Sequence, residues 1–302
     1  MSRKFFAVKA MAVVASMVLG LLTDLASARA EAPVVNQQAT ANVANFVPDR
    51  SASANPAAQH PLTAVINYAR REQKYLGETV RDFSCRLVKR ERINGFLQEM
   101  HFIDMEVREG VYQDGRMVEP LSIYLHFLAP KTVVDRNVIY VEGQNDGKML
   151  IRNGGKHFEY VVAQIDPNSD AARDETLVPL TDIGFDRLLS HMIDVLERHS
   201  TVDPTGSNTK AERIAGAKIN NRPCTVIRIT HPQRMTGLDF HIANVFVDDG
   251  LHAPVRVDYS SWPKIPGNPA PLIAEYTYTD LQLNTGLPDS AFSPARLRRV
   301  GD

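Results

Sequence analysis

Nine histidines and two cysteines in a chain of 302 residues are the side chains best suited to bind a metal or activate a nucleophile. His191 and His199 flank Glu197, but a zinc pair with an intervening glutamate base needs histidines four apart on one helix face. A separation of eight puts them roughly 12 Å apart along a helix, so the spacing predicts solvated helix histidines and no shared metal. Asp166, Asn168, Asp170 and Asp174 begin like a calcium loop, yet the sixth position is Ala171 and the twelfth is Leu177, where the loop needs Gly and Glu. An ordinary polar turn follows. The run from Gly143 to Met149 is one residue short of a phosphate loop, lacks a hydroxyl after Lys148 and precedes a strand pattern, so it reads as a hairpin turn. No Gly-x-Ser-x-Gly elbow for a serine nucleophile occurs. Cys85 and Cys224 do not form a Cys-x-x-Cys redox motif; they are either a disulfide or two separately buried thiols. As a disulfide they would close a loop of about 139 residues, worth roughly 5 kcal/mol by chain entropy. These tests leave no catalytic residue, metal or cofactor assigned, and the expectation is a protein that is not an enzyme.

Positions 1–30 read as a secretory signal peptide. Arg3, Lys4 and Lys9 precede an apolar run, and Ala28-Arg29-Ala30 offers a cleavage site. The uncharged stretch from Ala10 to Thr23 falls short of the roughly 20 residues that span a bilayer, so no transmembrane anchor is expected after cleavage. A periplasmic or secreted location follows. Residues 31–60, rich in Ala, Asn, Ser and Gln, lack helical or strand periodicity and read as a flexible leader. A single domain is expected over 61–296, with a tail at 297–302. Basic and acidic residues nearly cancel, 34 against 35, so nothing in the charge balance favours nucleic acid as a partner.

From Pro61 onward Leu62, Val65, Ile66, Ala69, Gln73 and Leu76 share one helical face, with Gly77 placed to stop the helix. Phe83, Cys85 and Leu87 then alternate with polar residues, and Asn94-Gly95 predicts a hairpin whose return strand carries Ile103, Met105 and Val107 on one face. The intervening Lys89-Arg90-Glu91-Arg92 reads as the exposed end of a strand. Further strands are predicted at 121–128, 137–142, 148–152 and 156–162. A second amphipathic helix through Phe185, Leu188, Leu189, Met192 and Leu196 takes Asp182 as its N-cap. Strands resume at 224–230, 240–248, 254–260 and 273–283. Two helices and about ten strands without βα alternation predict an α+β fold with an antiparallel sheet, long enough to curl into a barrel or half-barrel. The two helices are placed on its concave side.

Four blocks resemble the bacterial secreted family called domain of unknown function 1571. They are Asp82 to Gly95, Pro120 to Leu125, Ile139 to Gly143 and Pro179 to Phe185. The later stretches Val247 to Arg256 and Glu275 to Leu281 are similar, more loosely, to the wider superfamily of LolA, LolB and LppX, periplasmic carriers and receptors of lipoproteins and lipids. That resemblance implies a LolA-like incomplete antiparallel β-barrel with helices plugging an apolar concave side. It also implies the ligand class, the acyl chains of a lipid or lipoprotein. The expected cavity wall is Leu87, Ile103, Met105, Val107, Ile123, Leu125 and Phe127 on the sheet, with Leu188, Met192 and Leu196 on the covering helix. The alternative is a non-catalytic cell-envelope structural or interaction protein with a closed core and a protein partner.

Overall fold

The structure, a computed structural model, describes residues 35–36, 43–45, 59–154 and 161–297. The stretch read as a signal peptide, most of the leader, most of the strand expected at 156–162 and the last five residues lie outside the described residues. Helix α1 spans Pro61–Thr79, α2 is the single turn Asp170–Arg173, and α3 spans Phe185–Val202. In the first half of the chain the strands are β1 (Val35–Asn36), β2 (Val43–Asn45), β3 (Asp82–Ile93), β4 (Phe96–Leu97), β5 (His101–Arg108), β6 (Val111–Gln113), β7 (Arg116–Glu119) and β8 (Ser122–Ala129). The remainder are β9 (Asn137–Val141), β10 (Met149–Arg152), β11 (Val162–Ile165), β12 (Lys210–Ile219), β13 (Arg222–Thr230), β14 (Ile242–Asp248), β15 (Pro254–Ser260) and β16 (Leu272–Leu283).

One antiparallel sheet takes nearly all of them, in the order β1-β12-β13-β14-β15-β16-β3-β5-β8-β9-β10-β11. Pairing of β16 with β3 joins the late strands to the early ones and makes two arms of a single sheet. Among the described residues no pairing closes β11 onto the β12 edge, so the barrel is incomplete. Within the leader, β1 and β2 pair with β12 at that edge. Asn94 and Gly95, both at positive φ, turn β3 into β4 as the Asn-Gly signal requires.

Both long helices lie on one face of the sheet. Pro61 at the first turn of α1 sacrifices no helical bond, and the His60 side chain accepts the Leu62 N–H at 3.1 Å. The helix continues two residues past Gly77, its expected stop. In α3 the buried residues Phe185, Leu189, Ile193, Leu196 and His199 recur at helical spacing. Its N-cap is Gly184 rather than Asp182, which belongs to a preceding 3-10 turn. Gly184 sits at φ +115°, and a β-carbon there would come within 2.7 Å of Glu109 Oε2. The reason is that Glu109 itself takes the capping role: its Oε1 accepts the Phe185 N–H at 2.6 Å. Gln73 ties α1 to α3 by donating to Ser190 Oγ at 2.7 Å and to Asp186 Oδ1 at 2.9 Å.

Two apolar clusters line the space between helices and sheet. One gathers Phe185 and Leu189 of α3 over Phe83, Cys85, Met105, Val107 and Ile123; the other sets α1 and the far end of α3 against Ile227, Ile229, Ala243 and Val245. The opposite face of β8 to β10 is covered by Ala291, Phe292 and Leu297 of two C-terminal 3-10 turns. Leu297, placed by the sequence at the start of a tail, is thus part of a core.

Cys85 and Cys224 are free thiols, which corrects the disulfide alternative. They belong to separate apolar clusters, on β3 and β13, which lie four strand positions apart in the sheet. At about 4.8 Å per strand this far exceeds the reach of a disulfide. Burial raises both thiol pKa values, that of Cys224 to about 11. Phe185 stacks on Phe83 at 4.6 Å between ring centroids and meets Tyr278 edge-on at 6.3 Å. Phe185→Ala should therefore destabilise the fold by about 3–5 kcal/mol, read as a lowered urea midpoint with an unchanged slope.

Candidate functional site

The register of the first arm sets three side-chain rows across the inner face. The row Phe83, Val107, Ile123 is closed by Phe185 and buried completely. The next rows, Met105 with Leu125 and then Leu87, Ile103 and Phe127, open instead onto a cavity of about 490 Å³. Its wall is overwhelmingly apolar. The cover over these rows is the middle of α3, which presents Leu188, Met192 and Val195, together with Leu196 and with Val65 and Ala69 of α1. Eight of the ten wall residues expected from sequence therefore come together on one cavity. Val107 and Ile123 do not: they share the correct sheet face but lie at the strand ends that Phe185 fills.

The second arm supplies a wall that the sequence reading missed. Ile227 and Ile229 of β13, Ala243 and Val245 of β14, Val257 and Tyr259 of β15, and Tyr276 and Tyr278 of β16 complete the enclosure. Their alternation is visible in the sequence, but only the curl of the sheet brings both arms to one hollow. A third boundary is the segment after β11, through Pro167, Ala172, Thr176 and Val178. The would-be calcium loop is part of it and forms an Asx turn, with Asp166 Oδ1 accepting the Asn168 N–H at 2.8 Å, ahead of α2.

Glu91 fastens that segment. The run from Lys89 to Arg92, read as a solvated strand end, has its alternate members turned inward, and Glu91 is only 3% exposed. Its carboxylate accepts from Lys89 Nζ at 2.8 Å, Tyr276 Oη at 2.6 Å, Thr176 Oγ1 at 3.1 Å and the Leu177 N–H at 3.1 Å. Burial acts to raise its pKa, but Lys89, Tyr276 and Leu177 outweigh it and hold the carboxylate below its ordinary range. Arg136 reinforces the closure by donating to Glu175 at 2.6 Å. Lys89, His101, Arg136 and Glu175 belong both to the cavity and to an adjoining polar cleft of about 380 Å³, so the apolar hollow leads into a hydrogen-bonding vestibule.

At the other end of α3, His199 and His231 are fully buried and bonded to one another, Nδ1 to Nε2, at 3.1 Å. This corrects the solvated reading of His199; His191 is exposed on the same helix. His199 Nε2 also contacts Asp239 Oδ2 at 3.1 Å, while His231 Nδ1 lies 3.2 Å from Thr209 Oγ1. Thr209 donates in turn to Asp203 at 2.7 Å. Each ring nitrogen has a partner, and the network pins the C-terminal turn of α3 to the loops around β12 and β13. Among the described residues no group of three or more His, Cys, Asp or Glu could hold a metal ion. No helix among them is long and apolar enough to cross a membrane.

The family described as "Protein of unknown function (DUF1571)" matches residues 80–297. No curated protein matches the sequence. Among solved structures, the chain is similar to a DUF1329 family protein from Desulfovibrio piger, with 14% identity, 80% of this chain and 100% of the other covered, and a TM-score of 0.38. A LolA superfamily protein from Nitrosomonas europaea shares 10% identity over 76% of this chain and 98% of its own, with a TM-score of 0.31. The MucA/MucB complex of Pseudomonas aeruginosa gives 16% identity, 76% and 62% coverage and a TM-score of 0.41, so the chain spans less than two thirds of that match.

The buried histidine pair sets an acid limit on the site's frame. Burial, and then the neighbouring His199, push the His231 pKa down from 6.5 to about 4; burial also lowers that of His199. The unfolded chain takes up these protons below pH 6.5 and the folded chain resists them, so stability present above pH 6.5 should be lost as pH falls toward 4. For His231 the loss is on the order of 3 kcal/mol. Urea midpoints measured from pH 7.5 to 4 should fall for the natural protein and fall less steeply for His231→Asn. Parallel slopes would show that the ring does not titrate in this way.

Proposed function

The chain belongs to the family of proteins of unknown function DUF1571, and we propose that it is an exported carrier that binds the acyl chains of a lipid or lipoprotein between sheet and helices. The observation that supports this reading is the cavity itself. A hollow of about 490 Å³ lies within the size range of small-molecule sites, and its lining is mainly hydrocarbon and aromatic, with polar side chains at several places in the wall, among them Lys89, His101 and Arg136 where it borders the polar cleft. Such a space suits a ligand with a long apolar part. A closed-core scaffold would have filled it, because an interior void forfeits dispersion contacts along its whole wall. Catalysis is assigned to none of the lining residues. Export rests on the signal sequence and places the binding outside the cytoplasm.

Magnitudes favour partial burial of the cargo. At about 0.8 kcal/mol per CH₂, a sixteen-carbon chain removed entirely from water would gain roughly 13 kcal/mol before the costs of association. A carrier that must release its load does better with part of the chain wet. Organic extracts of the purified mature protein should yield lipid by mass spectrometry, and the emptied protein should take up a fluorescent fatty acid. Met192→Trp, which places bulk into the hollow from the middle of α3, should weaken that uptake at least tenfold while shifting stability by no more than about 1.5 kcal/mol. A lipid-free extract together with no uptake by the natural protein would overturn the proposal.

A further inference from the structure

Where the apolar cavity meets the vestibule, the polar groups differ in one respect: the cations are already partnered and a histidine is not. Lys89 Nζ donates to Glu91 Oε2 and to Thr176 Oγ1, both at 2.8 Å. Arg136 donates from Nη1 to Glu175 at 2.6 Å and from Nε to Asn153 Oδ1 at 2.8 Å. His101 pairs directly across from Lys89 in the β3–β5 register, and its ring meets Phe127 of the apolar wall edge-on at 6.1 Å. Its Nδ1 is buried, yet it has no hydrogen-bond partner among the described residues. A buried polar atom left unpaired is destabilising, and a ligand group arriving beside it recovers that loss.

The charge of the vestibule restricts which group this can be. Its ionised side chains are two cations, Lys89 and Arg136, against four carboxylates, Glu91, Glu99, Asp174 and Glu175. A phosphate or carboxylate would face a net negative wall whose cations are engaged elsewhere. Positive charge at the His101 ring is disfavoured chiefly by burial, and then by Lys89 and Arg136 against the opposing Glu91 and Glu175, so an ammonium head would lose its hydration there as well.

Building on the acyl-binding proposal, we infer that the His101 end of the cavity is a head-group subsite for an uncharged polar group bearing a hydroxyl or amide hydrogen, as in a monoacylglycerol or an N-acyl amide. The hydroxyl or N–H donates to Nδ1 of the neutral ring, while the ester or amide carbonyl remains at the boundary between wall and vestibule. The acyl chain then runs inward past Phe127 toward Ile103 and Met105.

The test is displacement of Nile red, an uncharged fluorophore, from the emptied full-length mature protein at pH 8, by 1-monopalmitoylglycerol, palmitate or hexadecylamine below their aggregation concentrations. Monopalmitoylglycerol should displace the probe at least tenfold more effectively than either charged amphiphile. His101→Phe should still bind Nile red and reduce that advantage to less than threefold, each amphiphile being compared with the others within the same variant, which separates loss of the subsite from loss of the cavity. Equal or tighter binding of palmitate or hexadecylamine to the natural protein, or an undiminished preference in His101→Phe, would overturn the subsite while leaving acyl binding intact. Failure of every amphiphile and of the probe to bind would instead remove the underlying acyl-binding proposal, and the subsite with it.

Discussion

The cavity exists because α3 is held at both ends. At its start, Glu109 accepts the first free N–H and Phe185 wedges onto Phe83, while Arg187 makes two bonds of 2.8 Å to the Glu142 carboxylate beyond β9. At its finish, His199 is locked to His231 and packs on Phe240 at 4.9 Å. Between these anchors the helix crosses a concave sheet, and a straight rod over a curved surface touches it at its ends and stands clear at its middle. Leu188, Met192 and Val195 therefore meet a hollow where Phe185 and His199 meet packed neighbours. Collapse of the middle would require one buried polar anchor to break, and each such break leaves a desolvated donor or carboxylate without its partner.

The same economy of buried polar groups explains the third boundary. Glu91 brings together β3, β16 through Tyr276, and the segment around Thr176 and Leu177. A carboxylate with four donors is well satisfied even when little exposed, and the apolar groups of that segment, Val178 and Ala172, are held against the cavity by it. These contacts are polar and few compared with the apolar packing of α3. This segment also borders the vestibule, through Asp174 and Glu175.

Much of the fold was legible because it rests on local signals. Asn94-Gly95 turned as its positive φ demands, α1 and α3 followed their apolar stripes, and the wall rows on β5 and β8 followed strict alternation. Strand β12 was missed for a reason the register makes plain: a bulge between Ile214 and Ala217, with Gly216 at φ +85°, breaks the period of two on which strand reading depends. Val107 and Ile123 were placed on the right face but not on the cavity, since alternation fixes the face while only the position of Phe185 fixes where along the strand the packing ends. The inward Lys89 and Glu91 were hidden by their type. Charged residues default to solvent, and nothing within the run announces that Tyr276, 185 residues away, and Thr176 wait to satisfy them.

A binding protein with a stable hollow must draw its stability from somewhere other than the ligand. Here part of it comes from packing that does not line the cavity: the row Phe83, Val107 and Ile123 under Phe185, the residues Leu62, Ile66 and Ile193 of the two helices, and the C-terminal turns on the outer face of β8 to β10. Their burial does not depend on whether the middle is filled, so the folded state needs no cargo to persist. On the proposed reading, release of an acyl chain would then require little reorganisation of the protein. The arrangement divides the molecule into a frame, closed by Phe185, Glu109 and the histidine pair, and a central span whose side chains are free to meet a guest.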